Sequence, residues 1–370
     1  MELYIYDTEL ILRGVIDKIT SLLWTRRYWS CGEFKLLVPF TEQHIRWLQK
    51  DRLVMKRGDK EAGQIKYIHI SKNAEGIEEI EVTGRFLSGW LDKRIVLKQI
   101  VANDNSQNLM RRYVTENITN PAQAARKIPR LLAPAGADLG SGKISYSGEP
   151  FTTCLMGVEG LAKAAKLGFR IATDTKAGQH QFEVFKGRDL TADQQENPPC
   201  VFSQEFDNVN EQEYTNSVEN LKSVAYVGGE EKEGVARQMV EVGGAAGLER
   251  DEVFINATDI TQTYREGETE ITMPLETYLQ MLYQRGVDEL EQYAETLAFS
   301  SSVNTNSNLQ YKEDFDIGDR VTCINKRWGI KINVRITEIT EIYQQNIESL
   351  EVTFGESLPT LLEKIRKIRG

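Results

Sequence analysis

DRLVMKRGDKEAGQIKYIHISKNAEGIEEIEVTGRFL, residues 51–87, and DRVTCINKRWGIKINVRITEITEIYQQNIESLEVTFGESL, residues 319–358, carry the same features in the same order. Each opens on Asp-Arg and an apolar residue, runs strand-like to a turn, and comes back strand-like. IKYIHI at 65–70 and INVRITEI at 332–339 alternate apolar with polar residues, the mark of a half-buried β-strand. IEEIEVTG at 77–84 answers IESLEVTFG at 347–355. Asp51 to Thr83 spans 32 residues and Asp319 to Thr353 spans 34, so two residues inserted in a turn bring the copies into register. Identities are few, and two unrelated meanders are the alternative to a duplication; the shared order of features favours the duplication.

Working outward, a chain of 370 residues suits two to four domains and has apolar content for packed cores. No apolar run approaches the roughly 20 residues that span a bilayer. MELYIYDTELILRGVID carries charges where a signal peptide keeps its apolar core, so cytoplasmic synthesis is expected. Cys31, Cys154, Cys200 and Cys323 are far apart, with no Cys-x-x-Cys and no His at ligand spacing, and read as reduced, mostly buried thiols. The net charge of −10 disfavours nonspecific nucleic-acid binding, because phosphate affinity comes chiefly from Lys and Arg. Charge is uneven: Arg85–Arg130 holds nine basic and three acidic residues, Glu205–Glu252 four and twelve. A binding or subunit face and two solvated faces of opposite sign are both compatible with it.

In chain order, residues 3–16 give a strand pair around Asp7 and Thr8. Residues 21–40, SLLWTRRYWSCGEFKLLVPF, set Trp24, Tyr28, Trp29 and Phe34 among charges, with Gly32 as a turn or bulge and Pro39 closing a strand. Those aromatics suit core and interface packing or, alternatively, a ligand-stacking platform. TEQHIRWLQK, 41–50, reads as a short helix capped by Thr41. Residues 84–96 read as another strand, and 106–118 as a helix capped by Ser106. Prolines 121, 129 and 134 and the glycines from 136 to 148 mark an irregular connection, 149–170 a second helix, and FRIATD with QFEVFKG a hairpin turning at Gly178. Residues 219–242 have a hairpin signature around Gly228 and Gly229. An insertion then spans 243–273, a long helix 275–299 and a polar linker 300–310, and PTLLEKIRKIRG at 359–370 reads as a short basic helix. The fold class is therefore mainly β with α+β insertions.

The search for chemistry finds no constellation. GADLGSGKI at 136–144 has Gly-Lys, but five residues separate Gly136 from Gly142 and Ile144 stands where a magnesium-holding hydroxyl belongs. No dinucleotide fingerprint follows a strand. His44, His69 and His180 are isolated, so a nucleophile–histidine arrangement needs long-range folding. The acidic residues make many pairs whose separation is not visible in sequence, so glycoside hydrolysis stays open and no pair is nominated. GGEEKEG at 228–234 lacks the ligand pattern of a calcium loop and reads as a solvated tip.

RRYWSCGEFKLLVP at 26–39, EVTGRFLSGWLDKRIV at 81–96 and NLMRRYVTENI at 108–118 are followed by FEVFKGRDLT at 182–191, CVFSQEFDNV at 200–209, YTNSVENLKSVAYVGGE at 214–230 and YKEDFDIGDRV at 311–321. In this order the segments resemble the siphophage and prophage tail-hub family, similar in architecture to the baseplate hub proteins of contractile tails. The resemblance implies a structural virion protein of the tail tip and not an enzyme, with no catalytic, cofactor or metal site. It implies two related β-barrel domains per chain plus helix-containing intervening domains. These are expected over 1–103 and over the discontinuous 205–242 and 308–358, with an α+β domain at 104–204, an inserted domain at 243–307 and a basic tail at 359–370. Three chains would then form a ring of six quasi-equivalent barrels, adapting a six-fold tail tube to a three-fold tip. Implied partners are the chain itself as a homotrimer, tail-tube and distal tail ring proteins above, and a tip spike, fibre or lytic protein below. Phage DNA would pass through the lumen without specific binding, and there would be no membrane insertion. The second barrel lies close to the end of the sequence, so lytic or adhesive work is expected of a partner. Two other classes stay in view, a tail-associated cell-wall hydrolase or peptidase and a carbohydrate-binding tip module built on the Trp24–Phe34 aromatics.

Overall fold

The alternating stretches fold as strands, and the stretches of helical period interrupt them. The computed structural model describes residues 1–266, 269–304, 307–344 and 347–355; the basic tail expected at 359–370 lies outside them. At the N-terminus β1 (Leu3–Tyr6) and β2 (Leu12–Ile16) pair across a turn in which the Asp7 carboxylate accepts from the N–H groups of Glu9 and Ile11. Then come β3 (Ser21–Arg27) and β4 (Glu33–Pro39), which ends on its proline. The Thr41 hydroxyl accepts from the His44 N–H at 2.9 Å to start α1 (Glu42–Trp47). β5 (Leu53–Lys56), β6 (Ala62–Lys72) and β7 (Glu78–Phe86) complete the stretch. The strand expected over 84–96 stops at Phe86, because Leu87, Trp90 and Leu91 are buried at helical spacing in a 3-10 segment, Leu87–Lys93.

Next are β8 (Val101–Asn105), α2 (Ser106–Val114), β9 (Leu131–Leu132), β10 (Lys143–Ser147) and α3 (Cys154–Ala164). The cap of α2 is Asn105, one residue before the expected serine, and its side chain accepts from the Asn108 N–H at 3.0 Å. The helix expected from Glu149 begins only after Thr153, since Phe151 sits at φ +65° and breaks the helical path. β11 (Gly168–Asp174) and β12 (Gln179–Phe185) form the expected hairpin with Gly178 at φ +64°. β13 (Val201–Ser203) and β14 (Val209–Ser217) follow.

The 219–242 hairpin is present as β15 (Val224–Gly228) and β16 (Met239–Gly243). It does not join the strands at 320–355. It makes a separate three-stranded sheet with β17 (Glu252–Asn256). After β18 (Thr263–Glu266) and β19 (Thr269–Thr272), α4 (Leu275–Leu290) packs Tyr278, Met281 and Leu282 on this sheet in one apolar core with Val227 and Val242. The helix expected to reach residue 299 turns extended at Ala294 and becomes β20 (Thr296–Val303), so residues 300–303 are strand and not linker. Serine suits that strand because the buried Ser301 hydroxyl donates to the Glu211 carbonyl at 2.8 Å. β21 (Arg320–Asn325), β22 (Ile330–Gln344) and β23 (Ile347–Gly355) end the described chain.

Two compact units result. The first combines Met1–Gly89, Leu167–Asn216 and the described residues from Thr296; the second combines Trp90–Lys166 with Ser217–Glu295. The first unit holds one sheet of thirteen strands whose path runs β14-β20-β23-β22-β3-β4-β7-β6-β5-β1-β2, with β21 beside β22 and β13 beside β21. The expectation of two barrels is corrected here: the path is open, and no sheet among the described residues closes. The reason lies in the long middle strand β22. Its first part pairs with β21, and its last part leaves that partner and pairs with β3.

The duplicated stretch is visible in the register. Pairing slips at one bulge in each middle strand, between Ile65 and Tyr67 in β6 and between Ile336 and Glu338 in β22. Beyond the bulge Tyr67 faces Thr83 as Glu338 faces Thr353, and Ile68 faces Val82 as Ile339 faces Val352. Before it, the Ile65 N–H donates to the Arg52 carbonyl and the Asp51 N–H to the Ile65 carbonyl, both at 2.9 Å. The Ile336 N–H donates to Asp319 and the Gly318 N–H to Ile336, both at 2.8 Å. Asp51 thus matches Gly318 and not Asp319, and both have positive φ, +66° and +92°. The sequence alignment is corrected accordingly: Asp319 to Ile336 is four residues longer than Arg52 to Ile65, whereas Glu341 to Leu350 is one shorter than Ile70 to Ile80.

The matched left-handed positions differ in what they tolerate. A Cβ on Gly318 would meet the Tyr28 ring at 2.2 Å, so Gly318→Ala combines a disfavoured φ with overpacking and is expected to lose about 2 kcal/mol in urea unfolding. Asp51→Gly is expected to change stability by less than about 0.5 kcal/mol.

Candidate assembly interface

Backbone pairing places two four-strand modules side by side. β14-β20-β23-β22 is followed by β3-β4-β7-β6, and in each the second strand pairs with β23 or β7 at matched residues: Phe299 faces Phe354, and Phe34 faces Gly84. The modules meet where β22 runs antiparallel to β3, from Glu338 opposite Arg27 to Gln344 opposite Ser21. Arg27 Nε donates to Glu338 at 2.6 Å, and the Thr25 and Thr340 hydroxyls are 3.0 Å apart.

Beneath this junction lies a buried ionic cluster. Lys56 of β5 is paired with Glu341 of β22 and, at 3.1 Å, with Asp59. Lys312 reaches Asp59 at 2.7 Å and Glu341 at 3.7 Å, and the Tyr343 hydroxyl donates to Glu341 at 2.7 Å. Burial pushes the Asp59 carboxyl up, but the ammonium groups of Lys56 and Lys312 outweigh it and hold the group below its ordinary range. Burial and then the Glu341 charge raise the Tyr343 phenol. Arg26 makes a second knot, to Glu61 at 2.8 Å, Asp316 at 2.6 Å and the Tyr311 hydroxyl at 2.8 Å. Burial alone would weaken the guanidinium's hold on its proton, yet Tyr311, Glu61 and Asp316 raise it well above the ordinary value.

These groups escape a motif search, because each stands alone in a strand or turn and only the folded chain, with β22 paired to β3 and the Lys56 side chain of β5 reaching Glu341, unites them. One signal was available: Glu341 stands two residues after Ile339 on the buried face of β22, where the alternation calls for an apolar residue, whereas its counterpart Ile70 in the other copy is exposed. The candidates for chemistry stay dispersed. His44 is partly buried with Nδ1 2.8 Å from the Pro39 carbonyl, His69 is exposed, and His180 is buried beside the Thr173 hydroxyl at 3.0 Å. No group of metal-ligating side chains occurs among the described residues. All four cysteines are buried and outside any disulfide. Of the proposed stacking platform, Trp24, Tyr28 and Phe34 are buried, and Trp29 packs on an apolar core that includes Phe202 and Phe354. No helix among the described residues is long and apolar enough to cross a membrane.

A family model described as Siphovirus ReqiPepy6 Gp37-like protein matches residues 2–356. No curated protein matches the sequence. Among solved structures, the tail protein from Neisseria meningitidis superposes with a TM-score of 0.58 at 13% identity, covering 96% of both chains. The prophage tail protein gp18 from Listeria monocytogenes gives 0.57 at 13% over 100% of both. The MuSo2 prophage 43 kDa tail protein from Shewanella oneidensis gives 0.56 at 14%, over 96% of this chain and 98% of that one. At these identities the likeness is one of fold.

Proposed function

The chain belongs to the Siphovirus ReqiPepy6 Gp37-like family, and from that premise we propose that it is a structural hub of a phage tail tip, assembled as a trimeric ring. The observation that carries the proposal is the pair of modules in matched register. A ring of three chains offers six similar surfaces to a six-fold tube only if each chain carries the surface twice, and a heterologous contact closes such a ring. In this role the inner wall forms part of the DNA channel, with tube and distal tail ring proteins above and a spike, fibre or lytic protein below. The low pI of about 5.2 suits a wall that lets phosphate slide. The protein works by shape and pairing, without a catalytic step, in the virion tail after synthesis in the bacterial cytoplasm.

The test is light scattering on the concentrated protein combined with electron-microscopic class averages. Particles of three times the 42.1 kDa chain mass, with three-fold outline and six repeats around the inner wall, are expected. A monomer at every concentration, or a ring of another number, overturns the hub.

A further inference from the structure

A cleft of about 530 Å3 opens between two hairpins of the first unit. The turn after β5 forms one wall and the β11–β12 hairpin the other. The Thr173 N–H donates to the Lys60 carbonyl at 2.7 Å and Glu61 bridges Ala172, so backbone pairing fixes the spacing of these walls. β1 supplies a third wall. Its Leu3 and Ile5 are buried in the core, which turns Tyr4 and Tyr6 outward on one face, about 7 Å apart along the strand. The volume falls within the roughly 300–1,000 Å3 of small-ligand sites.

The charged groups around the cleft are unequally engaged. Lys60 and Lys176 are exposed and make no ion pair among the described residues. Asp174 uses one oxygen, Oδ1, to accept from the N–H groups of Lys176 and Ala177, both at 2.9 Å. Glu183 likewise holds Arg170 on one oxygen, Oε2, at 2.7 Å. Each carboxylate therefore keeps a second oxygen that can accept. We propose that the cleft binds a saccharide unit bearing an acidic group, either phosphate or carboxylate. The acid lies on Lys60 and Lys176, ring hydroxyls donate to Asp174 and Glu183, and the apolar face of the ring packs on the tyrosines. Uncommitted ammonium groups call for an anion, and the carboxylates beside them call for donors. A ligand that is both anionic and rich in hydroxyls meets the two demands together. An acidic peptide would set its own acceptors against Asp174 and Glu183, and a nucleic-acid strand would run successive phosphates past the same carboxylates. The site is built within one chain and is independent of the ring proposed above.

Saturation-transfer NMR and calorimetry on the full chain test the assignment. The probes are glucose 6-phosphate, trigalacturonate, glucose, inorganic phosphate, a glutamate-rich peptide and a short oligothymidylate. At least one acidic sugar is expected to bind at least about tenfold more tightly than glucose or inorganic phosphate. Which acidic sugar binds tells whether the lysines take phosphate or carboxylate, and either result supports the site. Lys60→Gln with Lys176→Gln, both at exposed positions, is expected to weaken that binding by about tenfold or more with the urea midpoint unmoved. Tyr6→Ala is expected to remove the ring-proton signals of the bound sugar. No binding of either acidic sugar up to about 10 mM overturns the proposal, as does binding that the lysine pair does not alter. Inorganic phosphate binding as tightly as the sugars would reduce the cleft to an anion site without a sugar, and tighter binding of the peptide or the oligothymidylate would make it a docking site for that polymer; each result overturns the saccharide.

Discussion

Lys56→Met is expected to cost the first unit about 3–5 kcal/mol, because it strands two buried carboxylates on one remaining ammonium. The side chains of Lys56, Glu341 and Asp59 are each less than a tenth exposed, and Lys312 sits 2.7 Å from Asp59 but 3.7 Å from Glu341. Losing Lys56 therefore leaves Glu341 the less compensated of the two. Lys56→Met with Glu341→Leu should recover most of the loss, since an apolar pair of similar volume can replace a buried ion pair at little cost, while Asp59 keeps Lys312. Urea unfolding of the two single variants and the double reads the coupling directly. Tryptophan fluorescence reports mainly this unit, which holds four of the five tryptophans: Trp24, Trp29, Trp47 and Trp328. Equal and additive losses would show that the cluster is not a unit.

The same cluster sets a pH dependence. Asp59 is held below its ordinary value in the folded chain, so its unfolded form binds a proton first. Its contribution is fully present above the ordinary carboxylate value near pH 4 and is lost as pH falls through the lower folded value. In Lys56→Met the loss on acidification should be smaller, because part of the charge that depresses Asp59 is gone.

The strands and their turns were visible in the sequence because alternation is a local property. Residues 53–56, 62–72 and 78–86 and their counterparts at 320–355 followed from it, as did the duplicated Glu-Val-Thr at 81–83 and 351–353. What failed was set by partners distant in sequence. Thr296–Val303 is strand because β23 and β14 flank it, although Ser300, Ser301 and Ser302 gave it the composition of a linker. The 224–243 hairpin had the right pattern for a strand pair, but pattern does not name the sheet, and α4 together with β17 claimed it. The register was displaced by one residue because Asp319 imitates Asp51 in type, while backbone φ singles out Gly318. Barrel closure was expected from the resemblance; the handover of β22 to β3 at its bulge is a property of twist and pairing that no short window of sequence carries.

Trp24→Ala is expected to lose about 3–5 kcal/mol, whereas Trp24→Phe should lose less than about 1.5 kcal/mol. Trp24 has no exposed surface, with Phe86 centred 4.6 Å and Phe34 5.8 Å from its ring and the Lys56 ammonium 5.5 Å above it. Alanine would empty a site bounded by strands on both sides, since Trp24 faces Phe34 across β4 and Glu341 across β22. Phenylalanine keeps most of the apolar contact and also removes an indole N–H that is buried without an acceptor, a group that opposes burial. The comparison separates two roles for these aromatics. A sugar-stacking tryptophan is exposed, tolerates alanine in stability and loses glycan binding with it; a tryptophan wedged between two modules does the opposite. If Trp24→Ala unfolds at the wild-type urea concentration, the module junction is not held by its core, and the matched strands beside it would have to be kept in place by backbone pairing and the Lys56 cluster alone.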